Sequence, residues 1–380
     1  MNVDPRAELT KLFSAGVAAV QGEAAVATAL PRSEAARFTA VLALGKAAAS
    51  MYLGALPGLP AGHRALIATK HGHAADERLA GLPAEIMESS HPIPDADSLA
   101  AGRRCLEFVR ECTADTELLV LVSGGASALV EDLVDDIDLA ELRRTTDELV
   151  AGGADIATIN AKRKSLSRVK GGRLLAEFRG KSIRALAISD VEGDDIGIIS
   201  SGIGACANPE IPYEGEIIAS NAVAREAVAL LAAKIGLRVI RNEETLYCDV
   251  AEAADHIVAV CVDGPAGIYI FGGEPTVQLP PSPGEGGRNQ ALALLVAKRI
   301  AGRDDLTCLV AGTDGTDGPT EAAGAIVDGK SFNRKPGADA ALAAADAGRF
   351  LRETGDRLVT GPTGTNVMDL AIVLKLSPNP

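Results

Sequence analysis

The chain alternates short apolar runs with longer stretches in which apolar residues recur every three or four positions. Four of the apolar runs end at a glycine or a small polar residue, and they span 41–44, 65–68, 118–122 and 183–188. Runs of this length are typical of strands buried in a parallel sheet. The helical spacing predicts helices over 98–111, 139–152 and 170–178. This alternation predicts an open, mostly parallel α/β sheet, whose ligands bind beyond the carboxyl ends of its strands.

The two ends of the chain follow the same patterns. Apolar residues from Leu9 to Val26 share the spacing of one helix face, which predicts a single opening helix over the first 30 residues. After about Tyr247 the pattern predicts helices over 251–262, 288–301 and 338–347 and strands over 268–271, 306–310 and 369–374. A chain this long favours two domains. We expect a Rossmann-like domain over residues 1–245 and a smaller α/β domain over 246–380, with the active site in the cleft between them.

Composition narrows the class of function. The formal net charge is -14, so nucleic acid and anionic membrane surfaces are not expected partners, because the long-range field repels phosphate. The six cysteines form no CxxC pair, which predicts free thiols in a reducing compartment. No apolar stretch approaches the ~20 residues needed to span a bilayer. We therefore expect a cytoplasmic protein without a signal peptide.

Two strand ends carry residues suited to phosphate. The turn Ser123-Gly124-Gly125-Ala126-Ser127 follows a predicted strand and precedes a helix, so its amides could cradle an anion at the helix N-terminus. A plain structural turn explains these glycines equally well, and the Lys-Ser/Thr ending of a Walker A loop is absent. Lys46 follows the strand over 41–44, where an ammonium would meet a ligand, although a lone lysine at a helix start is usually solvated.

A basic stretch and an acidic loop add further candidates. Lys170, Gly171 and Gly172 close a run of basic residues in an otherwise acidic chain, which indicates a surface that attracts an acidic substrate or a nucleotide. Asp190 and Asp194 follow the strand over 183–188, where carboxylates could hold Mg²⁺ together with nucleotide phosphates. Asp190 could instead accept a proton from a substrate hydroxyl, and turn-capping aspartates are equally common.

The C-terminal part contributes an arginine at the head of a predicted helix. Arg288 opposes the helix macrodipole there, which favours contact with an anion such as a transferring phosphoryl group. A glycine-rich segment, 284–287, precedes Arg288, and Glu274 and Asn289 lie on either side of it. The loop over 311–320 carries Asp314 and Asp317, and it is either a substrate or metal loop or a tight surface turn.

In their joint order these motifs resemble the class II glycerate 2-kinases. The matching segments are 44–47, 91–95 (His-Pro-Ile-Pro-Asp), 123–127, 169–174, 189–191 with 193–194, 272–274, 287–290, 312–319 and 361–366. The resemblance implies a Rossmann-like domain followed by a MOFRL-type domain. It also implies that ATP and Mg²⁺ are used to phosphorylate the 2-hydroxyl of D-glycerate.

The same resemblance implies roles for particular residues. It links Lys46 and Arg288 to catalysis and makes the turn with Ser123, Gly124, Gly125 and Ser127 a cradle for phosphate or substrate. From chemistry we add Asp190 as a catalytic residue or metal ligand. We expect Glu274, Asn289, Asp314 and Asp317 to contact the substrate.

Other functions compete with this interpretation. Related sequences are often labelled hydroxypyruvate reductases, which need NAD(P)H, but the three spaced glycines of a dinucleotide site are absent after the strands over 41–44 and 118–122. A non-catalytic sugar-acid-binding protein would leave Arg288 and the aspartate loop unexplained. A kinase for another small sugar acid is a third alternative, and a homodimer is compatible with the sequence.

Overall fold

The computed structural model describes residues 4–151 and 156–377. The strands are β1 (Ala40–Leu44), β2 (Arg64–Lys70), β3 (Ala84–Ser89), β4 (Glu117–Val122), β5 (Ser182–Ile188), β6 (Tyr213–Ala219), β7 (Val239–Glu244), β8 (Gly267–Gly273), β9 (Leu306–Gly312), β10 (Gly324–Asp328), β11 (Arg357–Leu358) and β12 (Asp369–Lys375). The helices are α1 (Pro5–Ala19), α2 (Gly22–Ala29), α3 (Arg32–Ala35), α4 (Ala48–Ala55), α5 (Ala96–Arg110), α6 (Ala126–Leu129), α7 (Leu139–Ala151), α8 (Ile156–Ser165), α9 (Arg173–Ala176), α10 (Asn221–Lys234), α11 (Val250–Asp263), α12 (Arg288–Arg299), α13 (Ala338–Ala343) and α14 (Ala347–Thr354).

The first compact unit spans Gln21–Ala219 and contains a parallel 6-stranded sheet. Its strand order is β3-β2-β1-β4-β5-β6, which is the order of doubly wound Rossmann folds and reverses between β1 and β4. β1 is buried along its whole length, and β4 and β5 are buried at all but their first residue, because helices cover both faces of such a sheet. The predicted parallel α/β sheet is therefore confirmed.

The second unit spans Met1–Val20 and Ser220–Pro380 and contains a mixed 6-stranded sheet in the order β11-β10-β9-β12-β8-β7. β7 is parallel to β8, and the remaining neighbours are antiparallel. In this register Asp369 lies between Gly273 and Gly312. One edge of the sheet therefore collects the ends of β8 and β9 and the start of β12.

The compact units divide the chain at different places from the domain boundary that we expected after residue 245. The division falls after Val20 and after Ala219. Residues 239–244 form β7, which pairs with β8, and α10 packs against both strands, so this segment belongs with the second sheet. Helix α1 packs against α10, β9 and β12 and joins the same unit.

Several predicted helices have different bounds. The single opening helix was wrong, because Gln21 is extended and separates α1 from α2. The helix over 338–347 is likewise two helices, since Ala345 has a φ of 51°. The helix over 139–152 is α7, and residue 152 lies outside the described residues. The helix over 170–178 shrinks to Arg173–Ala176, because Gly171 and Gly172 have φ values of 62° and 80°.

The cysteines are free thiols, as predicted. Burial raises the pKa of the Cys105 thiol to about 12, so that sulfur is unreactive at neutral pH. Among the described residues no single helix is long and apolar enough to cross a membrane, although α1 and α2 counted together reach the necessary length and composition.

Candidate active site

The loops that follow β1 and β4 form one hydrogen-bonded structure. The Lys46 amide donates to the Gly124 carbonyl at 3.0 Å, and the Ala47 amide donates to Ser123 Oγ at 3.0 Å. These loops leave the sheet where its strand order reverses, which is where open α/β sheets bind ligands. The structure thus brings Lys46 and the glycine turn together, although the bonded residues Ala47 and Ser123 are 76 positions apart in the sequence.

The glycines of this turn make room for functional side chains. A Cβ on Gly124 would lie 1.9 Å from Asp190 Oδ2, so only glycine permits the approach of the carboxylate that follows β5. A Cβ on Gly125, whose φ is 87°, would lie 3.1 Å from Lys46 Cγ and 3.2 Å from His91 Cδ2. Lys46, Asp190 and His91 therefore surround the turn Gly124–Gly125.

The ammonium of Lys46 has no ion-pair or hydrogen-bond partner among the described residues. Its side chain is partly buried, and its carbonyl accepts a hydrogen bond from His73 Nδ1 at 3.0 Å, which holds the backbone in place. An unpaired cation in a chain of net charge -14 is suited to an anionic ligand.

The imidazole of His91 is neutral at pH 7. Burial lowers its pKa to about 4, and the nearby charges of Lys46, Lys70 and His73 act in the same direction. A neutral imidazole adds a hydrogen-bonding group beside the cations without adding to their mutual repulsion.

We expect the His91 pKa to be near 4 in a nuclear magnetic resonance titration of its Hε1 proton, against an ordinary value of 6.5. Between these values the unfolded chain binds a proton that the native state does not bind. His91 therefore contributes stability above pH 6.5 that is lost as the pH falls toward 4. A His91→Asn variant should flatten that part of the stability profile, and a measured pKa of 6.5 would contradict the placement of the ring.

Two serines in left-handed conformation brace the turn from the other side. Ser200 and Ser201 have φ values of 48° and 61°. Ser200 Oγ donates to the Ser123 carbonyl at 2.9 Å and accepts from the Ala126 amide at 3.1 Å, and Ser201 Oγ lies 2.9 Å from Ser127 Oγ. Such strained residues are characteristic of functional sites. Neither serine could be identified from the sequence, because nothing in the local sequence marks this conformation.

The second predicted carboxylate on the β5 loop is also unusual. Asp194 has a φ of 51°, and its Oδ1 is buried without a hydrogen-bond partner among the described residues. A carboxylate oxygen in this state fits a hard cation. The group of metal-ligand residues that does cluster in the described chain is His71, Asp95 and Asp97, and Asp95 is already engaged as the N-cap of α5.

Lys170 does not join this site. Its side chain is fully buried and forms an ion pair with Glu131, which also accepts a hydrogen bond from Ser167 Oγ at 2.5 Å. Burial lowers the pKa of Lys170, and Glu131 opposes that shift. The Gly171 and Gly172 amides donate to the carbonyls of residues 201 and 202 at 2.9 Å. Lys170 and Gly172 are buried and Gly171 is exposed, but the ammonium and both glycine amides already have partners within the protein, which argues against the expectation that they hold phosphate.

Replacing Glu131 by glutamine should destabilise the protein by about 3 kcal/mol, because the Lys170 ammonium would remain buried without its counter-charge. Urea unfolding measures this change. The double variant Glu131→Gln/Lys170→Met removes both charges and should recover most of the loss. Equal stability of the single variant and the parent chain would contradict the buried pair.

In the second unit Arg288 is the first residue of α12 and is held by two carboxylates. Its Nε donates to Asp369 Oδ2 at 2.6 Å and its Nη2 to Asp369 Oδ1 at 3.3 Å, and Nη1 lies 2.9 Å from Glu274 Oε1. A guanidinium has five N–H groups, so two remain. The side chain is 33% exposed and lines a cavity of about 280 Å³ with Asp314 and Thr316.

Asn289 and Asp317 fix the helix that carries Arg288. Asp317 Oδ1 accepts from the Asn289 amide at 3.0 Å, and Oδ2 accepts from the Gln290 amide at 2.8 Å and from Gln290 Nε2 at 2.9 Å. Asn289 Nδ2 donates to Asp369 Oδ1 at 3.0 Å. Burial raises the pKa of Asp317, and these donors oppose the shift. Asp317 thus caps α12, and both of its carboxylate oxygens are occupied, which argues against the substrate contact that we expected.

Asp314 lines the same cavity as Asp317, whereas Glu274 pairs with Arg288. Asp314 Oδ1 accepts from the amide and the hydroxyl of Thr316, at 2.9 and 3.0 Å, at the rim of the Arg288 cavity. Asp369 could not be identified from the sequence, since a carboxylate at the start of a predicted strand carries no signal of an arginine 81 positions away.

Comparison with known proteins adds two family matches. Residues 8–229 match the family described as "Domain of unknown function (DUF4147)", and residues 267–369 match the MOFRL family. Strand β7, which belongs to the second sheet, lies between the two matched segments.

Individual relatives match over nearly the whole chain. The D-glycerate 2-kinase of Thermotoga maritima is 34% identical over 96% of this chain and 97% of its own length. A putative hydroxypyruvate reductase of Agrobacterium vitis is 31% identical over 98% of this chain and 95% of its own length. The crystal structure of a glycerate kinase from Thermotoga maritima superposes with a TM-score of 0.86 and 32% identity, covering 98% of this chain and 99% of that one.

Proposed function

This chain belongs to the glycerate kinase family that combines a DUF4147 domain with a MOFRL domain, and from that premise we propose that it transfers the γ-phosphoryl group of ATP to the 2-hydroxyl of D-glycerate. The products are 2-phosphoglycerate and ADP. The observation that carries the proposal is the unpaired ammonium of Lys46 beside the turn Gly124–Gly125. An ammonium at this edge of a doubly wound sheet is placed to bind a phosphoryl group.

Phosphoryl transfer depends mainly on positioning and on stabilising the charge of the phosphoryl oxygens. Lys46 supplies one compact positive charge for this purpose. Arg288 supplies a second cation, whose plane is held by Asp369 and Glu274 so that its two remaining N–H groups keep a fixed direction. Both residues therefore serve as catalytic cations in the proposal.

We assign Mg²⁺ to Asp190 and Asp194. The buried Oδ1 of Asp194, which has no partner among the described residues, fits a hard cation. Bound magnesium would neutralise charge on the β- and γ-phosphates. Asp190 then acts as a ligand rather than as a base, because a loose transition state requires little proton removal from the hydroxyl before the bond to phosphorus forms.

The cavity beside Arg288 is suited to the acid. Its volume of about 280 Å³ exceeds what a three-carbon acid needs, so it also has room for other small sugar acids. Asp314 lines this cavity and offers oxygen atoms to hydroxyl groups of the acid, and Glu274, which pairs with Arg288, is the second carboxylate that we propose contacts the acid. Asn289 and Asp317 contribute by positioning Arg288 instead of by contacting substrate.

Hydroxypyruvate reduction is disfavoured by the hydrogen bonds after β1. In dinucleotide-binding folds the amides of this loop hold the pyrophosphate. Here the Gly45, Lys46 and Ala47 amides donate to Ala68 O, Gly124 O and Ser123 Oγ, each at 3.0 Å. These donors are therefore occupied, and the glycine fingerprint is also absent.

The purified protein should release ADP from MgATP when D-glycerate is added, and phosphorus magnetic resonance should identify the product as the 2-phosphate. Parallel reactions contain other small sugar acids, or NADH with hydroxypyruvate. ADP release with a different acid would revise the substrate. Oxidation of NADH without any ADP release would overturn the proposed function.

A further inference from the structure

The first unit contains a cavity of about 540 Å³ that the proposed chemistry has not used. It is lined by Ser90, His91, Pro92, Ile93, Pro94, Asp95, Leu142, Arg143 and Arg163. Most of these residues come from the segment 91–95, which the sequence analysis singled out without assigning it a role. Cavities of this size hold ligands much larger than a three-carbon acid.

One side of the cavity is apolar. It is formed by Pro92, Ile93, Pro94 and Leu142. Ile93 is 58% exposed and shares this wall with three further apolar residues, so the apolar surface here is more than one isolated side chain. An exposed aliphatic surface of this kind offers a face on which a flat heterocyclic base could pack.

The other side carries positive charge. The Arg163 guanidinium forms no hydrogen bond or ion pair with any residue in 4–151 or 156–377, and Arg143 Nη2 donates only to the Pro94 carbonyl, at 3.0 Å. Asp95, the acidic residue of the lining, is engaged by the Ser98 amide at 2.9 Å. An unpaired guanidinium is well suited to the oxygens of a phosphate.

The cavity also adjoins the phosphoryl site. His91 lines the cavity, and its ring lies close to Gly125. The Lys46 side chain lies close to the same glycine. A ligand in the cavity would therefore extend from an apolar wall, past Arg163, toward the Lys46 ammonium.

We propose that this cavity binds the nucleotide of the phosphoryl donor, with the base against Ile93 and Pro92 and the inner phosphates beside Arg163. This inference rests on the proposed kinase function and identifies where that kinase holds its nucleotide. The cavity combines a volume large enough for a nucleotide with an apolar wall for the base and an unpaired cation for the phosphate chain.

Calorimetric titration with ADP tests the proposal on the intact protein. Arg163→Met should raise the Kd for ADP by about tenfold or more, because it removes charge-assisted hydrogen bonds to phosphate. Ile93→Ser should raise it by about fivefold, because it removes apolar contact with the base. The matched control is Arg179→Met, which should leave the Kd unchanged. Arg179 is exposed and lies just before β5, at the amino ends of the strands, whereas the phosphoryl site lies at their carboxyl ends.

The outcomes separate this inference from the proposed function. Unchanged ADP affinity in both variants, with phosphoryl transfer to D-glycerate intact in the parent chain, overturns the nucleotide cavity and leaves the kinase. A raised KM for the acid with unchanged ADP affinity also overturns it, because the cavity would then hold the acid. Weakened ADP binding in the variants supports the cavity even if the parent chain phosphorylates no hydroxy acid.

Discussion

Replacing Arg288 by methionine is expected to lower kcat about a thousandfold, because the transition state would lose a positioned guanidinium. Asp369 and Glu274 hold this side chain on the structure's second sheet, so its position does not depend on the substrate. Arg288→Lys should restore only a small part of the rate, since an ammonium cannot make the bidentate contact with Asp369 that orients the group. Steady-state measurement of ADP release gives the effect.

Arg334→Met is the matched control for Arg288. Arg334 also pairs with two carboxylates, Asp328 and Asp356, and is 37% exposed, but Asp328 ends β10 at the opposite edge of the sheet from Asp369. Both variants lose an arginine with two acidic partners, so both lose some stability. A fall in kcat of similar size in the two variants would show that Arg288 acts through stability and would contradict its catalytic role.

Replacing Lys46 by methionine should lower kcat by about a hundredfold to a thousandfold, the range found when one preorganised charge-stabilising donor is removed. The unfolding midpoint should hardly change, because the ammonium has no partner among the described residues and its removal leaves no carboxylate unpaired. This combination of a large kinetic effect and a small stability effect distinguishes Lys46 from Glu131, for which we expect the reverse. Thermal unfolding and the ADP-release assay measure the two effects.

Lys181→Met serves as the control for Lys46. Lys181 is exposed and lies just before β5, at the amino end of the strands. It should change neither kcat nor the unfolding midpoint appreciably, since the Lys181 side chain is 65% exposed and Glu117 keeps Arg37 as a second partner. Wild-type turnover in Lys46→Met would mean that another group holds the transferring phosphoryl.

The sequence predicted the interior strands better than the edge strands. β1, β4 and β5 are apolar along nearly their whole length, because both faces of a central parallel strand are covered. β3, β6 and β7 lie at sheet edges and include exposed charged residues, which natural edges use to prevent pairing with other chains. Their mixed pattern resembles that of loops, so the sequence analysis did not find them.

The domain boundary shows a similar limit. The apolar pattern of α1 predicts a helix, but it cannot show that this helix packs with α10 and β12 rather than with the strands that follow it in sequence. The packing partner of α1 depends on how well its surface fits α10 and β12, which are distant from it in the sequence. The family matches at 8–229 and 267–369 include α1 with the first domain and leave residues 230–266, which contain β7, unassigned.

By itself the sequence determined several of the helices and most of the buried strands, although not β10, and it determined that glycines, Lys46 and Asp190 follow strands of one parallel sheet, because these properties depend on neighbouring residues. Only the tertiary structure decided how each charged group is used. Lys46 has no partner among the described residues, while Lys170 is buried against Glu131. The carboxylates that hold Arg288 and cap its helix come from distant loops and strands, because the energy of a charge depends on what surrounds it in space.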